Sequence, residues 1–347
     1  MFGPGDIRIT ETDGRDLGPG TVRVDIGYTG ICGSDVHEYK IGPVPIRGED
    51  LGHRIPESDW DEYLPKPMGH EIVGTIAAVG EGVDKSRIGT DVALNLMLSC
   101  GECRYCQEGL QNLCTAVDGS AVSSPGFADS MIAPAKAAVP VPDSVSLRHA
   151  ALTEPLSVSL HAVRRSPLQV GDSVAVFGAG PIGLGIIDVA QTAGAGRILV
   201  SEPRESRRDA ARALGVDVVI DPREMNPVER ISDATDGGVD VGFEAAGIST
   251  TFTQALRSTK YDGTVVVVSV FEEAASIHPN DIMQAERNVR GAFAYNGEFP
   301  TTLELLADGA FSPDSYITGT APLTELDEAF QQLMDPESGH IKILVEP

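Results

Sequence analysis

The chain has 347 residues, 41% of them hydrophobic, with 51 acidic against 26 basic side chains and a formal net charge of −25. That length predicts two domains rather than one core, and the acidic balance excludes a nucleic-acid partner, which needs a basic footprint. No apolar run is long enough to span a bilayer and the start lacks a basic-then-apolar leader, so a cytoplasmic protein with no membrane partner is expected.

The early part of the chain alternates short apolar runs with Gly and Pro. Strands are predicted at Thr21 to Tyr28, Ile72 to Val79 and Thr90 to Leu98, a pattern that suggests a barrel-like β domain. The middle changes character. A strand at Ser173 to Phe177 precedes a helix from Pro181 to Ala193, a strand at Arg197 to Glu202 and a helix from Arg204 to Leu214. Further strands are predicted at Val218 to Ile220, Val239 to Phe243 and Gly263 to Val270. Alternating strands and helices imply an α/β domain with a doubly wound parallel sheet. Helices follow near Thr301 to Ala307 and Leu326 to Met334, and a last apolar run, Ile341 to Val345, can return to the first domain as a strand.

Gly178-Ala-Gly180-Pro181-Ile182-Gly183 directly follows a predicted strand and opens a helix. In that context the glycines let backbone approach a pyrophosphate at a helix N-terminus. Glu202, 19 residues after Gly183, stands where an acid binds the ribose hydroxyls and repels a 2′-phosphate. NAD is therefore expected, with Arg204, Arg207 and Arg208 leaving room for NADP.

Four of the five cysteines lie within fifteen residues, at Cys100, Cys103, Cys106 and Cys114. Four close thiolates can fill a tetrahedral metal site and leave no open position, as a structural site requires. An iron–sulfur run would place its fourth Cys after three residues and then Pro; here the gap is seven residues and Thr115 follows. Disulfides would need an oxidising compartment. The remaining cysteine, Cys32, stands close to Ser34, Asp35 and His37. A lone Cys with a His and a carboxylate can hold a metal and keep one position open for chemistry.

Gly69-His70-Glu71 follows the Cys32 segment, then come the cysteine cluster, Glu154-Pro155-Leu156, and the glycine turn with its acid. In that order the chain resembles the zinc-dependent medium-chain alcohol and polyol dehydrogenases over nearly its whole length. Within the sorbitol dehydrogenase-like branch it is most similar to the 2,3-butanediol dehydrogenase group. That likeness rests on the run from Cys32 to Tyr39, Gly42-Pro43, Pro67 to Glu71, Val200 to Pro203, Pro279 to Asp281 and His340 to Leu344.

The resemblance implies a GroES-like β-barrel catalytic domain over 1–150 and 293–347, interrupted by a Rossmann NAD-binding domain over 151–292. It implies a catalytic zinc on Cys32, His70 and Glu71, with Glu154 as a fourth or exchangeable ligand, and a structural zinc on Cys100, Cys103, Cys106 and Cys114. Gly178, Gly180, Pro181, Ile182, Gly183, Glu202 and Arg207 would bind the cofactor. The implied reaction is reversible oxidation of a secondary alcohol, with zinc as Lewis acid and the nicotinamide as hydride acceptor. Ser34 would take the hydroxyl proton and His37 would release it to solvent, with Glu154 beside the substrate. A small-molecule vicinal diol is the expected substrate. Sugars, polyols and threonine are alternatives, and a noncatalytic NAD sensor is a distant one. A homo-oligomer, dimer or tetramer, is also implied.

Two features depart from the family pattern. Met1-Phe2 leads straight into Gly3-Pro4-Gly5-Asp6, where family members begin with a strand, and the stretch from Ile41 to Pro67 is rich in acids. Those acids, among them Glu49, Asp50, Glu57, Asp59, Asp61 and Glu62, are read for the most part as solvated, with a loop that shapes the substrate entrance as the alternative. His53, His149, His161, His278 and His340 have no motif partner and are read as surface or satisfied core residues. The basic side holds six lysines against twenty arginines. With its scattered excess of acids, the chain is expected to be adapted to high salt, where screening removes self-repulsion.

Overall fold

The computed structural model describes residues 1–11, 16–44, 55–116 and 125–347. Contacts divide the chain into two units: Met1–Glu154, Phe299–Asp308 and Ile317–Pro347 form the first, Pro155–Glu298 and Gly309–Tyr316 the second. In chain order the first unit supplies strands β1 (Thr21–Gly30), β2 (Glu71–Val79), β3 (Asp91–Leu94), β4 (Ser130–Pro134) and β5 (Ala138–Pro140). The second supplies β6 (Ser173–Phe177), β7 (Arg197–Ser201), β8 (Val218–Ile220), β9 (Val239–Glu244), β10 (Thr259–Val267) and β11 (Asn288–Gly291). The chain then returns to the first unit with β12 (Ile317–Pro322) and β13 (Lys342–Glu346).

The first unit is built on a seven-stranded sheet in the order β12-β13-β1-β2-β3-β5, with β4 paired to β1. Strand β1 alternates: Val22, Val24 and Ile26 turn inward while Arg23 and Asp25 face solvent. The inward set meets Ile72, Ile76, Val92, Leu94 and Met131 in one apolar cluster. Period-two burial of this kind pins register, because a one-residue slip would expose the whole set. The final apolar run does return as a strand: β13 pairs antiparallel with β1, setting Gly30 opposite Leu344. Strand β3 is shorter than the sequence suggested, because the Asn95 side chain accepts from Met97 N at 3.1 Å and turns the chain out of the sheet.

The second unit holds a six-stranded parallel sheet in the order β8-β7-β6-β9-β10-β11. Val174, Ala175, Val176 and Phe177 are wholly buried, as expected of a strand covered on both faces. Strand order reverses between β6 and β9, and such a switch point is where open α/β sheets bind dinucleotides. Strand β11 was not foreseen. It is an edge strand with all four residues exposed, so it carries no apolar pattern to read. Residues 293–298, expected with the return segment, lie with the second unit, and 151–154, expected there, lie with the first; residues 309–316, also expected with the return segment, lie with the second unit. Buried Asp188 holds them there by accepting from Ser312 N at 2.8 Å and from the Tyr316 hydroxyl.

Glu57, Asp59, Asp61 and Glu62 are exposed on a short 3-10 turn, consistent with their solvated reading. Trp60 in that turn donates to Ile55 O at 3.0 Å. His53, Glu49 and Asp50 lie outside the described residues. Buried His161 is satisfied by Glu298 at 3.2 Å. No helix among the described residues is long and apolar enough to cross a membrane.

Candidate functional site

Strand β1 ends at Gly30 and strand β2 begins at Glu71, and the register sets these two residues opposite each other. A Cβ on Gly30 would overlap the Glu71 carboxylate, so only glycine leaves that carboxylate its place. Two residues later Cys32 caps the helix Gly33–Ile41, while His70 immediately precedes β2. This pairing brings together one ligand atom each from Cys32, His70 and Glu71, all within 4.8 Å of one another. Thiolate, imidazole and carboxylate match a zinc site that keeps a position open.

Two residues that sequence reasoning passed over hold these three in place. Asp35 accepts from Cys32 N at 3.0 Å and stands 3.5 Å from His70 Nδ1. It therefore tethers one prospective ligand by its backbone and orients the other from the Nδ1 side of its ring. Burial disfavours the His70 cation, but the charges of Asp35 and Cys32 outweigh it and raise the His70 pKa well above its usual value. The signal was legible: Asp35 stands at the third position of a helix whose cap is Cys32, a favoured place for an acid. The second residue is Lys342 on β13. It is 1% exposed, and its Nζ donates to Glu71 Oε1 at 2.6 Å, to Glu71 Oε2 at 2.7 Å and to Ile31 O at 2.8 Å. Glu71 is itself fully buried, so its charge is neutralised from behind by a lysine that the sequence shows only as one cation in an apolar run. Any ligation by Glu71 shares the carboxylate with that lysine.

Glu154 lies at the start of the helix Thr153–Arg165 and outside the mutually close set of three. Its surroundings still register the site. Burial pushes its pKa up to about 7; His70 opposes the rise, the neighbouring Glu71 charge adds to it and Lys342 opposes it. Ser34 and His37 sit three residues apart on the Gly33–Ile41 helix, both half-buried. That spacing places them on one helix face.

The cysteine cluster is of a different kind. Its sulfurs lie 3.8 Å apart for Cys100 and Cys106, 3.5 Å for Cys103 and Cys106, 3.8 Å for Cys103 and Cys114, and 3.5 Å for Cys114 and Cys100. Four sulfurs at about 2.3 Å from a zinc ion form a tetrahedron with edges of roughly 3.8 Å, so the cluster fits that ion. Backbone amides of Glu102 and Cys103 point at Cys100 Sγ at 3.4 and 3.3 Å. Amide hydrogen bonds from Cys106 and Thr115 bring the Cys103 thiol down to about 6, whereas burial and its neighbouring thiols push Cys106 up to about 11. Without a cation, then, the four cannot all ionise together near neutrality; a divalent ion removes that conflict.

In the second unit Gly178 follows β6, Gly180 caps the helix Pro181–Thr192, and Pro181 takes its first position, followed by Ile182. Gly178 has φ of 97°, and a Cβ on Gly183 would overlap the Gly178 carbonyl. Glu202 stands just beyond β7. Its Oε2 accepts from Ala179 N at 2.8 Å and its Oε1 from Arg204 N at 2.9 Å, which locks the acid to the glycine turn while each oxygen keeps acceptor capacity. Arg207 Nη1 is 3.9 Å from Glu202 Oε2, and its buried Nε has no partner among the described residues. Arg208 is turned away from the turn. It donates to Glu202 O at 3.0 Å and Pro203 O at 2.6 Å and pairs with Asp221 at 3.0 Å.

Residues 18–143 match the alcohol dehydrogenase GroES-like domain and residues 181–308 the zinc-binding dehydrogenase domain. The chain is 38% identical over 346 residues to the (R,R)-butanediol dehydrogenase of Bacillus subtilis (strain 168), covering 99% of this chain and 97% of that protein. The crystal structure of 2R,3R-butanediol dehydrogenase from Bacillus subtilis superposes with a TM-score of 0.87 at 37% identity, covering 100% of this chain and 98% of that one. A zinc-binding dehydrogenase from Sinorhizobium meliloti 1021, solved bound to NADP, superposes with a TM-score of 0.86 at 30% identity, covering 99% and 96% of the two chains.

Proposed function

Because the chain belongs to the zinc-binding alcohol dehydrogenases, oxidoreductases of CH–OH groups, we propose that it reversibly oxidises a vicinal diol of the 2,3-butanediol type with NAD. The observation that carries this reading is the convergence of Cys32, His70 and Glu71, with Glu154 beside them. These residues would hold the catalytic zinc, with Glu154 as the exchangeable carboxylate, and Cys100, Cys103, Cys106 and Cys114 would hold a structural one. When bound, zinc supplies Lewis-acid polarisation of the alcohol oxygen and the nicotinamide accepts the hydride. Ser34 takes the hydroxyl proton, and His37, on the same helix face, passes it to solvent. Glu154 would accept from the second hydroxyl of a diol, a role that a simple alcohol leaves unused.

Glu202 favours NAD, because its carboxylate would face a 2′-phosphate; Gly178, Gly180, Pro181, Ile182, Gly183 and Arg207 complete the proposed cofactor site. The reduced thiols that the cysteine cluster needs support a cytoplasmic location. The exposed edge strand β11, with Val289 and Phe293 partly open to solvent, supports a homo-oligomer formed by edge-to-edge pairing, which light scattering tests.

The deciding experiment is a substrate panel read by NADH absorbance, with the stereoisomers of 2,3-butanediol, sorbitol, xylitol, glucose and threonine, each run with NAD and NADP. The highest kcat/KM is expected for a butanediol stereoisomer with NAD. A preference for sorbitol or xylitol would replace the diol reading with a polyol one, and equal efficiency with NADP would show that Arg204 and Arg207 outweigh Glu202.

A further inference from the structure

Glu244 is the last residue of β9, level with Phe177 of β6 and Val267 of β10. Its carboxylate therefore stands at the carboxyl ends of the strands, beside the switch point. It is fully buried, and its hydrogen-bond partners are neutral groups. Oε1 accepts from Ala246 N at 3.0 Å, Gly247 N at 2.9 Å and Thr251 Oγ1 at 2.7 Å; Oε2 accepts from the Ser269 hydroxyl. A buried carboxylate is tolerated only when hydrogen bonds saturate it, and these four donors come from two different segments, one after β9 and one after β10. Ala246 and Gly247 form the loop after β9, with Thr251 on the helix Ser249–Ser258 that follows; Ser269 lies in the loop after β10.

The two loops meet closely. A Cβ on Gly247 would overlap the Val270 carbonyl, and one on Gly178 would come within 2.9 Å of Ala245 O. The loop after β9 is thus one wall of the crevice that the glycine turn opens. In a doubly wound sheet each half of the strands serves one half of the dinucleotide. Glu202 and β6 to β8 take the adenosine half, so the loops after β9 and β10 border the nicotinamide half.

We infer that Glu244 is a positioning residue for the nicotinamide half of the cofactor, tying the loop after β9 to the loop after β10 through Ser269. The inference rests on the proposed dinucleotide reading of the second unit. Ser269→Ala removes the tie and leaves the other three donors to Glu244 intact. Glu244→Gln keeps an oxygen for the two amides but turns an NH2 toward Ser269, so the hydroxyl must accept where it now donates.

The zinc-loaded enzyme and both variants are titrated with NADH by fluorescence and with AMP by calorimetry, since AMP fills the adenosine half alone. Ser269→Ala is expected to weaken NADH on the order of fivefold to tenfold, less than the full worth of one charge-assisted hydrogen bond because the bond acts on the cofactor only through the loop, with AMP affinity unchanged. Glu244→Gln is expected to move in the same direction, and the double variant to be no weaker than the weaker single one. Unchanged NADH affinity in Ser269→Ala overturns the proposal, and so does a parallel fall in AMP affinity, which would mark a general structural role. A wild-type chain that binds neither NADH nor AMP sinks the dinucleotide reading itself, and this proposal with it.

Discussion

The two candidate metal sites of the first unit are built in opposite ways. The cysteine cluster takes all its donors from one stretch of fifteen residues, and Cys100 is exposed. The Cys32 site joins Cys32 to His70 and Glu71, 38 and 39 residues further along the chain, through the pairing of β1 with β2. It is backed by the buried Lys342–Glu71 pair and by Asp35. A metal that only crosslinks can be held by local sequence, because its ligands need nothing but proximity. One that must bind substrate needs a supporting shell that fixes its donors while leaving a face open.

That contrast predicts that the two sites fail differently. Cys32→Ser should reduce kcat/KM by on the order of 10³-fold or more and remove one zinc equivalent per chain, while the melting temperature moves little. Elemental analysis with calorimetry checks it, and full activity retained would dissolve the distinction between the sites. Cys103→Ala should do the reverse, costing upward of about 4 kcal/mol of stability, the class to which loss of a structural metal belongs. Denaturant unfolding measures it; an unchanged midpoint with one zinc fewer would show that the cluster does not support the fold.

Lys342→Met probes the shell from behind. It leaves the Glu71 charge buried without its partner, for an expected loss of about 3–5 kcal/mol. Lys342→Met with Glu71→Gln should recover most of that stability, and failure to recover would show that the pair is not the unit that matters. Asp35→Asn is milder. It keeps the size of the side chain and weakens the hold on His70, so zinc affinity at the Cys32 site should fall about 10–100-fold, while the zinc of the cysteine cluster stays in place. Competition with a chelator resolves the two ions, and equal loosening of both would break the comparison.

Salt gives the smallest local effect and separates the sites once more. Arg104 Nε and Glu108 Oε1, an exposed pair 2.8 Å apart within the cysteine segment, should be screened as the Debye length falls from about 30 Å at 0.01 M to about 3 Å at 1 M, and the buried Lys342–Glu71 pair should not. Across the whole chain, with a net charge of −25, the same screening should raise the melting temperature toward molar salt. A chain as stable in dilute buffer as in molar KCl would remove the case for a salt-adapted surface.

Much of the arrangement could be read from residues alone. The glycine turn with its acid, the cysteine spacing and the alternation of strands and helices are local patterns, since backbone geometry and ligand spacing act over a few residues. They determined the α/β class, the two-unit organisation, the four-cysteine site and the cofactor turn, whereas the set Cys32, His70, Glu71 and Glu154 was reached only through the family resemblance. What the sequence could not show is which distant residue completes each local pattern. Lys342 looks like one cation in a terminal apolar run, and only the pairing of β13 with β1 sets it behind Glu71. Glu244 looks like the polar end of a strand until the sheet brings Ser269 to it. Strand β11 has no apolar face to announce it and exists because β10 offers an edge to pair with. In each case the deciding interaction joins residues far apart in the chain. Burial, which makes such pairings strong and their absence costly, is a property that only the assembled fold confers.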